Sequence, residues 1–307
     1  MSGYQQPYPR RSGATAARRF AGMLLAVIGA VLALVALASH FAHNDLLDTD
    51  RYVANVAPLV DDPTVQAEIS REVSDRIVAE ADLEALGPLI EGGAENVVRD
   101  LVRSAVASNE FAELWTEANR LAHRDFVAVV TGEADDGERG GTVVIPLGEL
   151  LATVDDPFAD LGVSLPDLLE GVEVEVVVIS PEGVALARQW VPLLDPVAGA
   201  APWLALAAWV GALLITPKGS RAGILAGIGL GATVTGAAAL LAADLARSRY
   251  LDTLPRDGLP PAAAASIYDA LVEPLQSRAW VLLIAGAAIA VVGFIASLLR
   301  PRRLTPR

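Results

Sequence analysis

Residues 20–42 read FAGMLLAVIGAVLALVALASHFA, a run without one charged side chain. At a rise of about 1.5 Å per residue, a helix over it crosses a hydrocarbon layer of roughly 30 Å. The run predicts a membrane span. Three more uncharged stretches of about 20 residues meet the same criterion: Val197 to Thr216, Ala222 to Ala243 and Ala279 to Leu299. Residues 43–196 hold no apolar run of that length and predict a soluble domain between the first and second spans.

Composition agrees with this division. Of 307 residues, 53% are apolar, yet acids outnumber basic residues by 37 to 23. The mean hydropathy is +0.44 and the isoelectric point lies near 4.6. So apolar a chain is neither a disordered tail nor a collagen-like rod. An acidic balance argues against nucleic acid as partner, because phosphate backbones are held by Lys and Arg. The absence of cysteine removes disulfides, thiolate zinc sites and Cys nucleophiles.

Basic residues set the expected orientation, since short positive segments beside a span stay in the cytoplasm. Arg10, Arg11, Arg18 and Arg19 precede the first span. Lys218 and Arg221 lie between the second and third, and Arg300, Arg302, Arg303 and Arg307 follow the fourth. These segments contain no acid. The reading is therefore a cytoplasmic tail 1–19, spans 20–42, 197–216, 222–243 and 279–299, a cytoplasmic loop 217–221 and a cytoplasmic tail 300–307. The domain 43–196 and the loop 244–278 face outward, in a cell (plasma) membrane. Trp203 and Trp280 fall near the outer ends of their spans, where amphipathic rings favour the headgroup layer. A cleaved signal peptide is the competing reading, because Arg18-Arg19 precede an apolar run and Ala36-Leu37-Ala38 has the small-x-small form of a cleavage site. The run is longer than the usual signal core and continues through Phe41-Ala42, which favours an anchor. A twin-arginine signal at Arg18-Arg19-Phe20 fits the flanks poorly.

The spans lack the intramembrane Asp, Glu, His or Arg that marks a transport path. They carry small residues instead. Gly223, Gly227 and Gly231 recur at four-residue spacing, as do Gly22, Ala26 and Ala30, while Gly286, Ala290 and Gly293 form a third set. Such stripes let helices approach closely, within one bundle or between copies in a homo-oligomer.

In the domain the apolar spacing is helical over Val65, Ile69, Val73 and Ile77, and again over Val97, Val98, Leu101, Val102 and Ala105. Asp61-Asp62-Pro63 predicts an N-cap and a helix from Pro63 to about Glu80. A helix from about Leu89 to Ala107 and another from near Glu110 follow, the latter with Trp115 as core anchor. Short strands are expected at Thr142 to Ile145 and at Gly171 to Ile179, where Val172, Val174, Val176 and Val178 alternate with Glu173 and Glu175. Pro146 to Val154 and Pro166 to Leu169 look helical between them. A helix over Pro181 to Leu194 runs into the second span. In the second outward loop Tyr250 to Pro255 is expected to be extended, and Pro261 opens a helix whose Ile267, Leu271 and Leu275 need a cover. The fold class is thus an α-helical membrane protein with four transmembrane helices and a mainly α, α+β extracytoplasmic domain containing a small two-stranded sheet.

Leu46 to Ile77, with Asp48-x-Asp50-Arg51-Tyr52-Val53, Ala57-Pro58-Leu59 and Asp62-Pro63-x-Val65-Gln66, resembles an uncharacterised family of actinobacterial four-span integral membrane proteins with a large extracytoplasmic domain. Trp115 to His123 and Tyr250 to Pro255 add to the likeness, which covers roughly 20–299. The resemblance implies the same architecture and an outward location, and it supplies no activity and no catalytic residue.

Chemistry is thinly signalled. His40 and His43, with Asp45 and Asp48 nearby, are weak candidates for a metal site against the alternative of a polar collar at the membrane surface. Trp115, Asn119 and His123, with Asp252 of the second loop, are the candidate functional pocket against the alternative of a histidine bonded within the domain. No nucleophile elbow, zinc-protease motif or phosphate loop occurs, and no cofactor is implied. The domain 43–196 holds 32 acids and nine arginines, a difference of −23. Runs at Glu133, Asp135, Asp136 and Glu138 and at Asp155, Asp156 and Asp160 lack the spacing of a calcium loop and read as solvated acids. The leading expectation is a non-enzymatic envelope protein whose outward domain binds a protein or envelope component. The alternatives are a membrane-tethered hydrolase or transferase with its site between the domain and the 244–278 loop, and a small transporter subunit.

Overall fold

The computed structural model describes residues 12–80, 94–133, 142–146, 173–177, 181–254 and 260–299. The basic termini, the 81–93 connection, the acidic runs after Glu133 and the helices expected at 146–154 and 166–169 lie outside them. Eight α-helices carry the described chain: α1 (Ser12–Phe41), α2 (Thr49–Val56), α3 (Pro63–Glu80), α4 (Ala94–Val106), α5 (Asn109–Thr131), α6 (Pro181–Ile215), α7 (Arg221–Asp252) and α8 (Pro261–Leu298). Helices α1, α6, α7 and α8 are long and apolar enough to cross a bilayer, which makes this a multi-pass membrane protein.

The expected α+β class is corrected to a helical one. The regular β structure among the described residues is one antiparallel ladder, β1 (Thr142–Pro146) with β2 (Glu173–Val177), in which Val144 faces Glu175. The Val/Glu alternation favours extended backbone locally. Two five-residue strands paired with each other, the first lying against α5, are a small addition to eight helices, and the architecture rests on helices.

The chain divides into two compact units, the first comprising 1–41, 195–244 and 274–307 and the second 42–194 and 245–273. Unit 1 is built from small residues. Ala26, Ala212, Ile224 and Ile228 form its core, with Leu25, Trp209 and Leu213 packed on them. The Trp209 indole donates to the Ala26 carbonyl at 3.3 Å, and the ring fills the space that Gly29 leaves open. The Thr235 hydroxyl donates to the Ala30 carbonyl at 3.0 Å. These contacts place α6 antiparallel and α7 parallel to α1.

Helix α8 runs antiparallel to α7 along a seam of very close approach. A Cβ added at Gly229 would lie 2.6 Å from the Gly286 carbonyl, and one at Gly236 would lie 2.5 Å from the Ala279 carbonyl. Gly286 and Gly293 fit the same way against Thr233 and against Ala222 and Ala226. On α7 the seam is Ala222, Ala226, Gly229, Thr233 and Gly236, and on α8 it is Ala279, Leu283, Gly286, Ala290 and Gly293. Both alternate steps of four and three, the 3.5-residue repeat that keeps two gently supercoiled helices in register.

Gly223 and Gly227 do not serve packing within the described chain, since a Cβ at either would meet nothing within 4 Å. Gly231 does pack, on Ala30. A strict four-residue repeat gains about 40° per step on a helix of 3.6 residues per turn, so it winds off the contact face.

Unit 2 is held by capped helices. Asp48 accepts from the Arg51 amide at 2.9 Å to start α2. Asp62 accepts from the Thr64 amide at 2.8 Å to start α3, and Ser108 from the Phe111 amide at 3.2 Å to start α5. Gly132, at φ 80°, closes α5 in the left-handed conformation. The core gathers Val56, Leu59, Val65 and Ala263, with Tyr52, Ile69, Trp115, Ile267 and Leu271 around them. The apolar stripe that opens α8 thus finds its cover in α2, α3 and α5.

Two further expectations change. The segment from Tyr250, expected to be extended, is helical as far as Asp252, where α7 ends, while α8 opens at Pro261 as expected. Arg247 makes a two-pronged ion pair with Asp269, at 2.7 and 3.0 Å, and Tyr250 stacks on Tyr268, which prolongs the antiparallel pairing. On α3, Val73 is 38% exposed, while Ser70 and Ser74 are buried. The same 40° drift turns the Val65-Ile69-Val73 stripe out of the core and brings the two serines in.

Candidate functional site

The group of sequence candidates that the structure resolves best surrounds His123. Helix α5 delivers this side chain into the junction between the π-helical turn Ala42–Leu46 and the start of α2. Its Nε2 lies 2.9 Å from the Leu46 carbonyl oxygen and its Nδ1 lies 3.1 Å from the Thr49 hydroxyl. A carbonyl only accepts, so Nε2 carries the proton, and Nδ1 of the neutral ring accepts from Thr49. Tyr52 stacks on the imidazole with ring centroids 4.0 Å apart, and Phe126 covers another side at 5.9 Å.

Burial lowers the His123 pKa from its ordinary value, opposed by the bond to Leu46 and the nearby Asp48 carboxylate. Burial also raises the Tyr52 phenol. Both shifts favour the neutral forms that this junction requires. His123 is therefore a fastener between α5 and the turn that follows α1.

The other proposed pocket residues do not converge on it. Trp115 donates its indole N–H to the Val56 carbonyl at 3.1 Å and anchors the core. Asn119 donates to the Trp115 carbonyl of its own helix at 2.8 Å. Asp252 is an exposed residue ending α7. The open groove on α5 is lined instead by Asn109, Ala112, Glu113, Thr116, Glu117 and Arg120, and Arg120 is ion-paired to Asp50.

His40 lies in the last turn of α1 and His43 in the π-helical turn. Asp48 is the α2 cap, and the buried Asp45 lies 3.6 Å from Arg51. Among the described residues no three His, Cys, Asp or Glu side chains gather in a metal-holding geometry.

Sequence reading missed the partners that give His123 its role. Thr49 and Tyr52 stand three residues apart on one face of α2, a spacing that signals a shared neighbour without identifying it. No protein-family profile, curated protein or solved structure matches the chain.

Proposed function

We propose that this is a non-enzymatic membrane protein that presents unit 2 outside the cytoplasm for binding to another protein or envelope component. The observation that carries the reading is the fate of the chemistry-bearing side chains. Both nitrogens of His123, the Asn119 amide and the Asp48 and Asp62 carboxylates are engaged in holding unit 2 together. What α5 offers to solvent is an open groove with Glu113 and with Glu117, whose carboxylate lies 3.7 Å from the Arg120 guanidinium. Such a surface suits a basic partner.

The orientation belongs to the same proposal. Its support is the acid-free basic segments, two of which flank the α6–α7 turn and the start of α1. The resemblance to uncharacterised actinobacterial four-span proteins is likewise part of the proposal and adds no activity to it.

The test is a photo-crosslinking residue placed at Glu113 or Glu117 of the full-length protein in its native membrane. A discrete protein or envelope adduct, weakened by high salt, is expected. Turnover of an envelope substrate by purified full-length protein, lost in a folded His123→Gln variant, would replace this reading with an enzymatic one.

A further inference from the structure

The carboxyl end of α6 has an arrangement that the close-packed bundle does not require. A helix leaves its last carbonyls without intrahelical partners. Here two arginines from two other helices take adjacent ones. Arg18 Nε of α1 donates to the Ile215 carbonyl at 2.9 Å, and Arg221 Nε, at the start of α7, donates to the Thr216 carbonyl at 3.3 Å. Two guanidinium groups are thereby drawn to neighbouring points on one turn.

Both acceptors are uncharged carbonyls, so what offsets the two positive charges there is the partial negative pole of the α6 carboxyl end, about half a charge. Residues 1–44, 196–243 and 274–307 contain no Asp or Glu at all. Arg19 and Lys218 add to the positive field from the same end of unit 1. The first turn of α7 lies there too, and a helix N-terminus favours negative charge.

We propose that Arg18 and Arg221 form a binding site for the phosphate of an anionic phospholipid headgroup. The forked terminal nitrogens of a guanidinium match two phosphate oxygens, and Nε contacts to backbone hold each fork in place. The flanks distinguish a lipid from a soluble anion. Phe20 is 70% exposed, Met23 62% and Leu214 64%, all within one or two helical turns of the two arginines. Acyl chains attached to the phosphate would cover them.

The experiment is native mass spectrometry and thermal unfolding of the full-length protein in mild detergent with phosphatidylglycerol, phosphatidylcholine or inorganic phosphate added. Wild type is expected to retain phosphatidylglycerol preferentially and to melt at higher temperature with it. In the Arg18→Gln/Arg221→Gln double variant, retention should fall about tenfold or more, while Arg249→Gln, at the other end of α7, retains wild-type binding. Equal retention by the folded double variant overturns the site. Should that variant fail to fold, the wild-type comparison decides: stabilisation by phosphatidylglycerol alone supports the proposal. An equal shift with phosphatidylcholine overturns it, and an equal shift with millimolar inorganic phosphate assigns a soluble anion in place of a lipid.

Discussion

His123 shows how a residue that reads as reactive chemistry becomes architecture through its partners. Replacing it with alanine removes the stack on Tyr52 and leaves the Thr49 hydroxyl and the Leu46 carbonyl unpaired. The expected loss is about 2–4 kcal/mol, read from thermal unfolding in detergent. The pH dependence has a definite sign. The folded pKa is lowered, so between that value and the unfolded value of about 6.5 only the unfolded chain binds the proton. This contribution is complete above the unfolded pKa and is lost as the pH falls through the window toward the folded one. The melting temperature should therefore decline below about pH 6.5, with a flatter profile for His123→Gln. Asp62 adds a loss at lower pH, because its bond with Thr64 holds the carboxyl below the ordinary value. Ser74 is a simpler case. It is 1% exposed and its hydroxyl has no hydrogen-bond partner among the described residues, so Ser74→Ala should raise stability by about 1 kcal/mol, and an unchanged or lower melting temperature would refute this. The sequence displayed His123 but not its partners, because Leu46 contributes through its backbone and lies 77 positions away.

At the scale of elements, capping, apolar length and the faces marked by Trp115, Ile267 and Leu271 were legible, and the contact faces of α3 and α7 were not. Asp62-Pro63 located the start of α3, and uncharged length located the four long helices. The α8 side of the seam showed in Gly286, Ala290 and Gly293, but its α7 side, Ala222, Ala226, Gly229, Thr233 and Gly236, did not, because close packing there follows a 3.5-residue repeat. The more visible Gly223-Gly227-Gly231 series keeps to four. This distinction is testable. A methyl at Gly229 or Gly236 meets backbone of α8, which cannot move aside without separating the helices. Gly229→Ala and Gly236→Ala should each cost about 1–3 kcal/mol in a detergent unfolding assay, whereas Gly223→Ala and Gly227→Ala should fall within about 0.5 kcal/mol of wild type or stabilise slightly. Equal effects at all four positions would remove the seam assignment. The α+β class gives way to a helical one because eight helices carry the described chain, and period-two alternation marks a strand preference along a segment without saying how much of the architecture that segment will bear.

The whole molecule has no native cysteine, which makes its placement in a membrane directly measurable. Under the proposed orientation, Glu113→Cys in intact cells should react with an impermeant maleimide. Gly219→Cys should react only after the membrane is opened. The reverse pattern would invert the proposed topology. The four long apolar helices were readable from where charge is missing. The end of α7 was not, because that helix continues to Asp252, beyond its uncharged portion.

The bond between Trp209 and Ala26 joins positions 183 residues apart. At a synthesis rate of about 5–20 residues per second, the ribosome delivers the tryptophan roughly 10–40 s after the alanine. For that interval α1 stands in the lipid without α6, and without α7, whose Thr235 follows later still. Its receiving face of Gly22, Ala26, Gly29 and Ala30 suits the wait. Those residues expose no polar side chain to hydrocarbon, and the carbonyls that later accept from Trp209 and Thr235 already belong to the helix's own ladder. Assembly then adds a second donor to oxygens that were never left bare, so the nascent first span needs no guardian while the rest of the chain is made.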